Sequence, residues 1–363
     1  MIEKKPISFQ IIGRILGLEG KKVYRWYKDV LSGFTDEKKQ FELHKNDLPK
    51  RTIDPETGET QVIPVPIFKP ENFGANMAID DKNIGGEGYT VFSNKNTGKI
   101  AVLAQTTKVS ALAEILQKVS VKIRYAVKTI SKDLAENYDW IARTMFLNAI
   151  RIDDKFHVLQ LGFEALQDVR VRYRQEVLTE ERKKRVEKKI LEKKRKAECE
   201  RKNIKYEKPK DSKSPAKMYK NGDTKKELLA RSRYLLFQFE NKWSESQRER
   251  ATILFREFPE IEKAYKLMCH FRHFYQIKIG DTLRAKEKLR EWYKEVETEE
   301  IEEMLNFAST IVRHENTILN YFETGQTNAF AESLNSQIQR FVQSNSGTND
   351  RDFFHFRLKG YFS

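Results

Sequence analysis

Asp80, in the run AIDDKN, and Asp133, in TISKDLAENY, each close an apolar, β-branched stretch, while Glu332, in TNAFAESLN, sits on a helical pattern far down the chain. Carboxylates that end two strands and ride one helix are placed to converge. Such a trio suits hard divalent cations, because Mg²⁺ prefers oxygen donors. Two such ions about 4 Å apart activate a water and stabilise the leaving oxygen of a phosphodiester, with no separate general base. In that arrangement Asp80 bridges two Mg²⁺ ions, Asp133 binds one and Glu332 the other, with Mn²⁺ able to substitute. The chain holds 53 acidic residues, so some carboxylate at a strand end is inevitable. It is the combination of three compatible places that carries the reading.

The elements that must position these acids follow from the spacing of apolar residues. MAIDD, GYTVFSNK and GKIAVLAQ predict three antiparallel strands, the last two joined by an Asn-Thr-Gly turn. A helix is predicted over 108–119, with Leu112, Ile115, Leu116 and Val119 on one face. A strand ending at Asp133 follows, then a helix over 135–147 with Tyr138, Ile141, Ala142, Met145 and Phe146 at helical spacing, then a fifth strand, AIRIDD. Three strands, helix, strand, helix, strand is the order of an α/β, ribonuclease H-like core with a mixed five-stranded sheet. Its first and fourth strands lie side by side, so acids at their ends meet.

Flanking this core are helical segments. In residues 7–34 a helix with Phe9, Ile12, Ile15 and Leu16 on one face meets Gly17 and Gly20, and the pattern resumes at Val23, Trp26 and Leu31. That is the outline of a helix-turn-helix arm whose second helix carries Lys21, Lys22, Arg25 and Lys28 towards a major groove; the other reading is a helical hairpin with a solvated basic face. After residue 155 apolar residues recur every three or four positions, from Phe156 to Val177, and helical periodicity returns after an interruption at 203–224. The expected domains are the arm at 1–43, a linker at 44–73, the first part of the core at 74–154, an all-helical insertion at 155–323, and the final catalytic helix with a tail at 324–363. That helix is capped near Thr327 or Asn328 and turns Ala331, Leu334, Ile338 and Phe341 inward.

Charge narrows the partner. With 68 Lys and Arg the chain has a formal net charge of +15, which favours a polyanion through counterion release. Residues 168–233 hold 25 basic against 12 acidic residues, a surplus of 13. Lys183, Lys184, Arg185 and Lys188 are the expected backbone-gripping residues there, while interleaved Glu also fits a solvated helix with i to i+4 pairs. Trp243 and Trp292 suit either base stacking or burial among helices, burial being preferred. Two cysteines without a CxxC, Cys199 and Cys269, exclude a disulfide framework and a cysteine-rich zinc module and point to a reducing cytoplasm. Cys269 and His273 share a helical face, for which core packing is expected rather than metal. The N-terminal MIEKKPISFQ is not a secretory signal, and no run of about 18 apolar residues spans a membrane.

A more specific signal is Asp154, Lys155, Phe156, His157 at the end of the fifth strand. The segment TISKDLAENYDWIARTMFLNAIRIDDKFHVLQLGFEALQDVR resembles the core of bacterial insertion-sequence DDE transposases of the ISL-three branch, where Asp-x-Phe-His opens a helix about twenty residues after the second acid. TNAFAESLNSQIQRF is similar to the Asn-Ala-x-x-Glu-x-x-Asn segment carrying the third acid. Ile79 and Asp80 match the first, although Asp81 stands where Glu is usual. The resemblance implies Asp80, Asp133 and Glu332 as catalytic acids, Asp154 and His157 as supporting residues, and Asn328 and Asn335 as groups that orient Glu332 or touch DNA. For His157 a purely structural place at the helix start remains equally open. The resemblance further implies cleavage at insertion-sequence ends, joining of the freed 3′-OH to target DNA, and a homodimer or larger assembly, in a cytoplasmic, nucleoid-associated protein. Many relatives carry a cysteine-rich zinc-binding region before the core and this chain does not, so either its short arm or a separate end-recognition protein finds the ends. The alternatives are a structure-specific nuclease on the same fold and a catalytically silent DNA-binding protein derived from a transposase.

Overall fold

The structure, a computed structural model, describes residues 7–37, 52–53, 60–61, 63–206, 218–326, 329–345 and 350–362; of 52–53, 60–61 and 329–332 it describes only the backbone. The chain divides into two compact units, residues 1–157 with 316–363, and residues 158–315. The expected insertion, 155–323, is therefore wider than the second unit by three residues at its start and eight at its end.

The first unit is built on a six-stranded mixed sheet: β1 (Ile67–Phe68), β2 (Asn76–Ile84), β3 (Glu87–Asn94), β4 (Ile100–Ala104), β5 (Thr129–Lys132) and β6 (Ile150–Asp153), in the order β1-β4-β3-β2-β5-β6. β2 runs antiparallel to β3 and parallel to β5, and β5 is parallel to β6. The adjacency of the first and fourth predicted strands is thus as expected. The count of five strands is not: β1, inside the expected linker, adds a sixth by pairing with β4. Its two residues sit between Pro64, Pro66 and Pro70, and proline confines a segment to a sheet edge and hides it from pattern reading.

Alternation along β2 decides everything that follows. Met77 and Ile79 join Ile130, Leu112, Leu116, Tyr138 and Ile141 in a core under α3 (Val109–Gln117) and α5 (Glu136–Met145), which the short α4 (Val121–Ala126) separates in the chain. The other face packs Ile84, Val91 and Leu103 against Leu334, Ile338 and Phe341 of α13 (Ala329–Ser344) and Leu358 of α14 (Arg351–Tyr361). Each such side chain taken out of water contributes about 1.5–3 kcal/mol. Successive strand residues point to opposite faces, so Asp80 and Asp81 are sent to different sides of the sheet.

The N-terminal segment forms α1 (Phe9–Leu16) and α2 (Gly20–Trp26), which widens into a π-type turn over Tyr27–Leu31. Ser8 caps α1 through its side chain, and Gly17 ends it at φ 66°, a left-handed conformation costly for residues with a Cβ. A Cβ on Gly13 would lie 2.6 Å from the Leu18 carbonyl, so the two helices touch where only glycine fits. Phe9, Val23, Tyr27 and Phe34 pack on Phe353 of α14, in the same unit as the sheet.

The second unit is helical among its described residues. It starts within α6 (Lys155–Arg201) and continues through α7 (Lys225–Arg231), α8 (Glu245–Glu257), α9 (Pro259–Phe274), α10 (Thr282–Glu299) and α11 (Glu302–Arg313). Trp243 and Trp292 are buried, their indole N–H groups donating to the carbonyls of Leu235 and Leu267 at 2.8 and 2.9 Å. They are core residues, not stacking platforms. Cys269 is partly buried, and burial pushes its thiol pKa up, which fits packing and not ligation. Lys183, Lys184, Arg185 and Lys188 all lie on exposed surface of α6.

Candidate active site

The unbroken apolar run of β2 ends at Ile79, with Ile84 apolar again at the strand's end, and that of β5 ends at Ile130. Ala78 pairs in parallel with Ser131, which sets Asp80 level with Asp133, both on the face covered by α13. Neighbouring strands are about 4.8 Å apart, so the two acids belong to adjacent strand ends. Their mutual repulsion is visible: burial is the main cause that raises the pKa of Asp133, and Asp80 adds to it, while the Ala135 N–H, His157 and Lys132 oppose it.

Each acid is held in orientation. The backbone N–H of Asp81 donates to Asp80 Oδ1 at 2.8 Å, and the Asn335 amide donates to Asp80 Oδ2. Lys82 Nζ lies 3.5 Å from that same oxygen. The Ala135 N–H donates to Asp133 Oδ1 at 2.9 Å. Asn335 thus meets Asp80, a partner that sequence reasoning did not assign it. Glu332 lies three positions before Asn335 in α13, and residues i and i+3 share a helix face. The side chain of Glu332 and all of Asn328 fall outside the described residues.

Asp154 and His157 bracket the first turn of α6. Asp154 Oδ1 accepts from the Phe156 N–H at 3.2 Å, and its Oδ2 lies 3.2 Å from His157 Nδ1. The carboxylate of Asp154 is the main reason the His157 pKa is raised, with Asp80 and Asp133 contributing and burial opposing. His157 therefore belongs to the same electrostatic cluster as the two strand-end acids.

The opposite face holds acids of another kind. Asp81, although exposed as a residue, has its carboxylate turned to the hydroxyls of Tyr138 and Thr90, with Thr90 Oγ1 at 3.4 Å. Burial, then Asp133 and Asp80, push its pKa up to about 6. Lys132, fully buried, lies 2.5 Å from Asp153 Oδ1 and 3.4 Å from Asp139 Oδ1, and donates to the Asp133 carbonyl at 3.3 Å. Asp139 is also held by Arg151 at 2.6 Å, and Thr317 Oγ1, on α12 (Glu315–Thr324), donates to Asp153 Oδ2 at 2.5 Å. Sequence reasoning missed Lys132, Asp153 and Thr317; a lysine inside the buried run TISK is the one local signal. It also missed Lys95, whose ammonium donates to Ser131 Oγ at 2.8 Å and whose pKa burial pushes down to about 8.

Among the described residues no group of three or more His, Cys, Asp and Glu side chains is arranged to hold a metal ion. Asp80 and Asp133 supply two carboxylates at adjacent strand ends, the hard oxygen donors a divalent cation takes, and Glu332 is the acidic residue in the sequence of α13. The donor chemistry fits Mg²⁺ or Mn²⁺ and does not suit a thiophilic ion.

Of the basic residues expected to meet nucleic acid at the N-terminus, Lys21, Lys22 and Arg25 are exposed, Lys22 Nζ lying 4.9 Å from the Trp26 ring centroid. Lys28 is committed elsewhere, to Asp350 at 2.5 Å. Among the described residues no helix is long and apolar enough to cross a membrane. A family model described as transposase, of the DDE ISL-three type, matches residues 77–358, more than three quarters of the chain. No curated protein and no solved structure matches.

Proposed function

The chain belongs to the ISL-three family of DDE transposases, and on that premise we propose that it cleaves DNA at insertion-sequence ends and joins the freed 3′-OH to target DNA, with Asp80, Asp133 and Glu332 as its catalytic acids. The observation that carries the assignment is the Asn335 to Asp80 hydrogen bond. It draws α13 onto the strand pair that bears the other two acids, one helical turn from Glu332.

Asp80 and Asp133 hold their carboxylates level and oriented, and Glu332 completes the oxygen set on α13. Divalent ions bound there supply Lewis-acid stabilisation of the phosphodiester oxygens and an acidified water. The Asn335 amide keeps Asp80 in one rotamer without adding charge, and the Asp81 N–H fixes the other oxygen. Asp154 holds His157 by its Nδ1, leaving Nε2 for the acid cluster or for a phosphate oxygen. Lys21, Lys22 and Arg25 of α2, in a helix-turn-helix, engage duplex DNA; Lys183, Lys184, Arg185 and Lys188 of α6 grip phosphates without reading sequence. The working form is a homodimer or larger on DNA in the cytoplasm, associated with the nucleoid.

The test uses linear duplexes carrying the genomic DNA that flanks the gene, incubated with Mg²⁺ or Mn²⁺ and a plasmid target. The expected products are 3′-OH ends joined to plasmid, lost in Asp80→Ala, Asp133→Ala and Glu332→Ala. Cleavage without any joined product favours the nuclease reading. No cleavage by a folded, DNA-binding protein favours the silent one.

A further inference from the structure

Arg357, on α14, is 5 % exposed. Its guanidinium carbon lies 4.7 Å from the Phe9 ring centroid, 5.8 Å from that of Tyr27 and 5.8 Å from that of Phe341. It therefore touches α1, the end of α2 and α13 together. Its Nη1 donates to Asn345 Oδ1, and Asn345 in turn closes the C-terminal end of α13, donating its side-chain amide to the Phe341 carbonyl at 2.8 Å. A cation linked to the carbonyl end of a helix is favoured by the helix dipole, and one resting on aromatic faces gains further attraction when desolvated.

Two more contacts tie the same bodies together. Lys28 pairs with Asp350, whose Oδ1 caps α14 by accepting from the Phe353 N–H at 3.0 Å, and Lys359 pairs with Glu37 at 2.6 Å. Phe353 meets Tyr24 and Phe34 edge-on at 5.5 and 5.2 Å. The basic surface of α2 is thus backed by tyrosines that rest on α14, α14 holds the tail of α13 through Arg357, and α13 reaches Asp80 through Asn335. From Asn345 back to Asn335 is ten residues of continuous helix, about 15 Å.

We infer that Arg357 is a positioning residue that links DNA bound at α2 to the placement of α13 and its carboxylate. This rests on the reading of α2 as a DNA-contacting helix. An arm on a flexible tether would deliver DNA without affecting the acids. An arm bolted to the far end of the catalytic helix holds that helix still when it is itself held by DNA, so occupancy of one site lowers the freedom of the other.

The test is amide hydrogen exchange on the full chain in EDTA, where no cation bridges DNA to the acids, with duplexes tiling the DNA that flanks the gene. In the native protein a bound duplex is expected to slow exchange about tenfold in peptides from both α2 and residues 333–345, within the usual range of coupling. In Arg357→Met the slowing at α2 is expected to persist while that at 333–345 disappears. Asn345→Ala, which leaves the ring cage in place, serves as the second variant should the first fail to fold, with the same expectation. Equal slowing at 333–345 in native and variant protein overturns the inference, even where the variant melts earlier, because a merely structural role lowers stability and leaves the DNA response intact. Slowing at α2 without slowing at 333–345 in the native protein also overturns it. An α2 unprotected by every duplex removes the DNA reading of the arm itself, and the inference with it.

Discussion

On the sheet face covered by α13, Asp80 meets an amide, a backbone N–H and a lysine at 3.5 Å, and Asp133 a backbone N–H. On the face covered by α5, Asp153 at the end of β6 and Asp139 of α5 are closed off by Lys132 and Arg151, and Asp81 of β2 by two hydroxyls. Asp80 and Asp81 are adjacent in sequence, as are Lys132 and Asp133, so one step of strand alternation separates an acid met by amides from an acid met by buried hydroxyls. What separates these carboxylates is therefore the kind of partner each has, amides and a lysine at 3.5 Å for Asp80 and buried hydroxyls for Asp81, more than position near the sheet's edge.

The comparison breaks most sharply in catalysis. Asp80→Asn or Asp133→Asn is expected to lower strand cleavage about 10⁴-fold, several kcal/mol of barrier, while Asp81→Asn stays within about tenfold; nicking rates on the flanking duplex decide it. Equal losses at Asp80 and Asp81 erase the distinction between the faces. Next in size is stability. Asp153→Ala takes the nearest partner from the fully buried Lys132, leaving Asp139 at 3.4 Å and the Asp133 carbonyl, and is expected to cost about 3 kcal/mol in urea unfolding, whereas Asp80→Ala, relieving repulsion with Asp133, leaves stability level or slightly higher.

Cation binding gives a smaller and more selective readout. Mg²⁺ at a hundred times its Kd is expected to stabilise the native chain by about 2.7 kcal/mol, a gain kept by Asp81→Asn and lost in Asp80→Ala, measured as a shift in Tm. The smallest effect is the pH dependence of Asp81. Its folded pKa of about 6 lies above the unfolded value near 4, so its contribution is full below pH about 4 and is lost as pH rises through about 6. Asp81→Asn should gain on the native protein by about 1 kcal/mol between pH 4 and 7, a figure reduced for the residue's exposure, as urea midpoints will register.

Much of this site was legible because local pattern and tertiary role coincide in it. The apolar runs ending at Asp80 and Asp133 name their strands. The spacing of Leu334, Ile338 and Phe341 gives the buried face of α13, and all three are buried. Asp154 and His157, three apart at a helix start, pair as that spacing allows. What escaped depends on strangers in the sequence. The partner of Asn335 is 255 residues away and that of Thr317 is 164 residues away, and no local period encodes such meetings. The edge strand at Ile67–Phe68 was masked by its prolines. Lys132 reads as a surface residue until the strand beside it supplies Asp153.

The hydroxyl of Thr317 resting on Asp153 has an evolutionary corollary. Residues that flank a detour of 158 positions end within hydrogen-bonding distance of one another, so the excursion closes on itself like a bracket. A chain that skips it has little gap to bridge, and insertion is tolerated best where the two cut ends are already neighbours. Helices of other lengths and charges could be exchanged there while the sheet and its strand-end carboxylates stayed put.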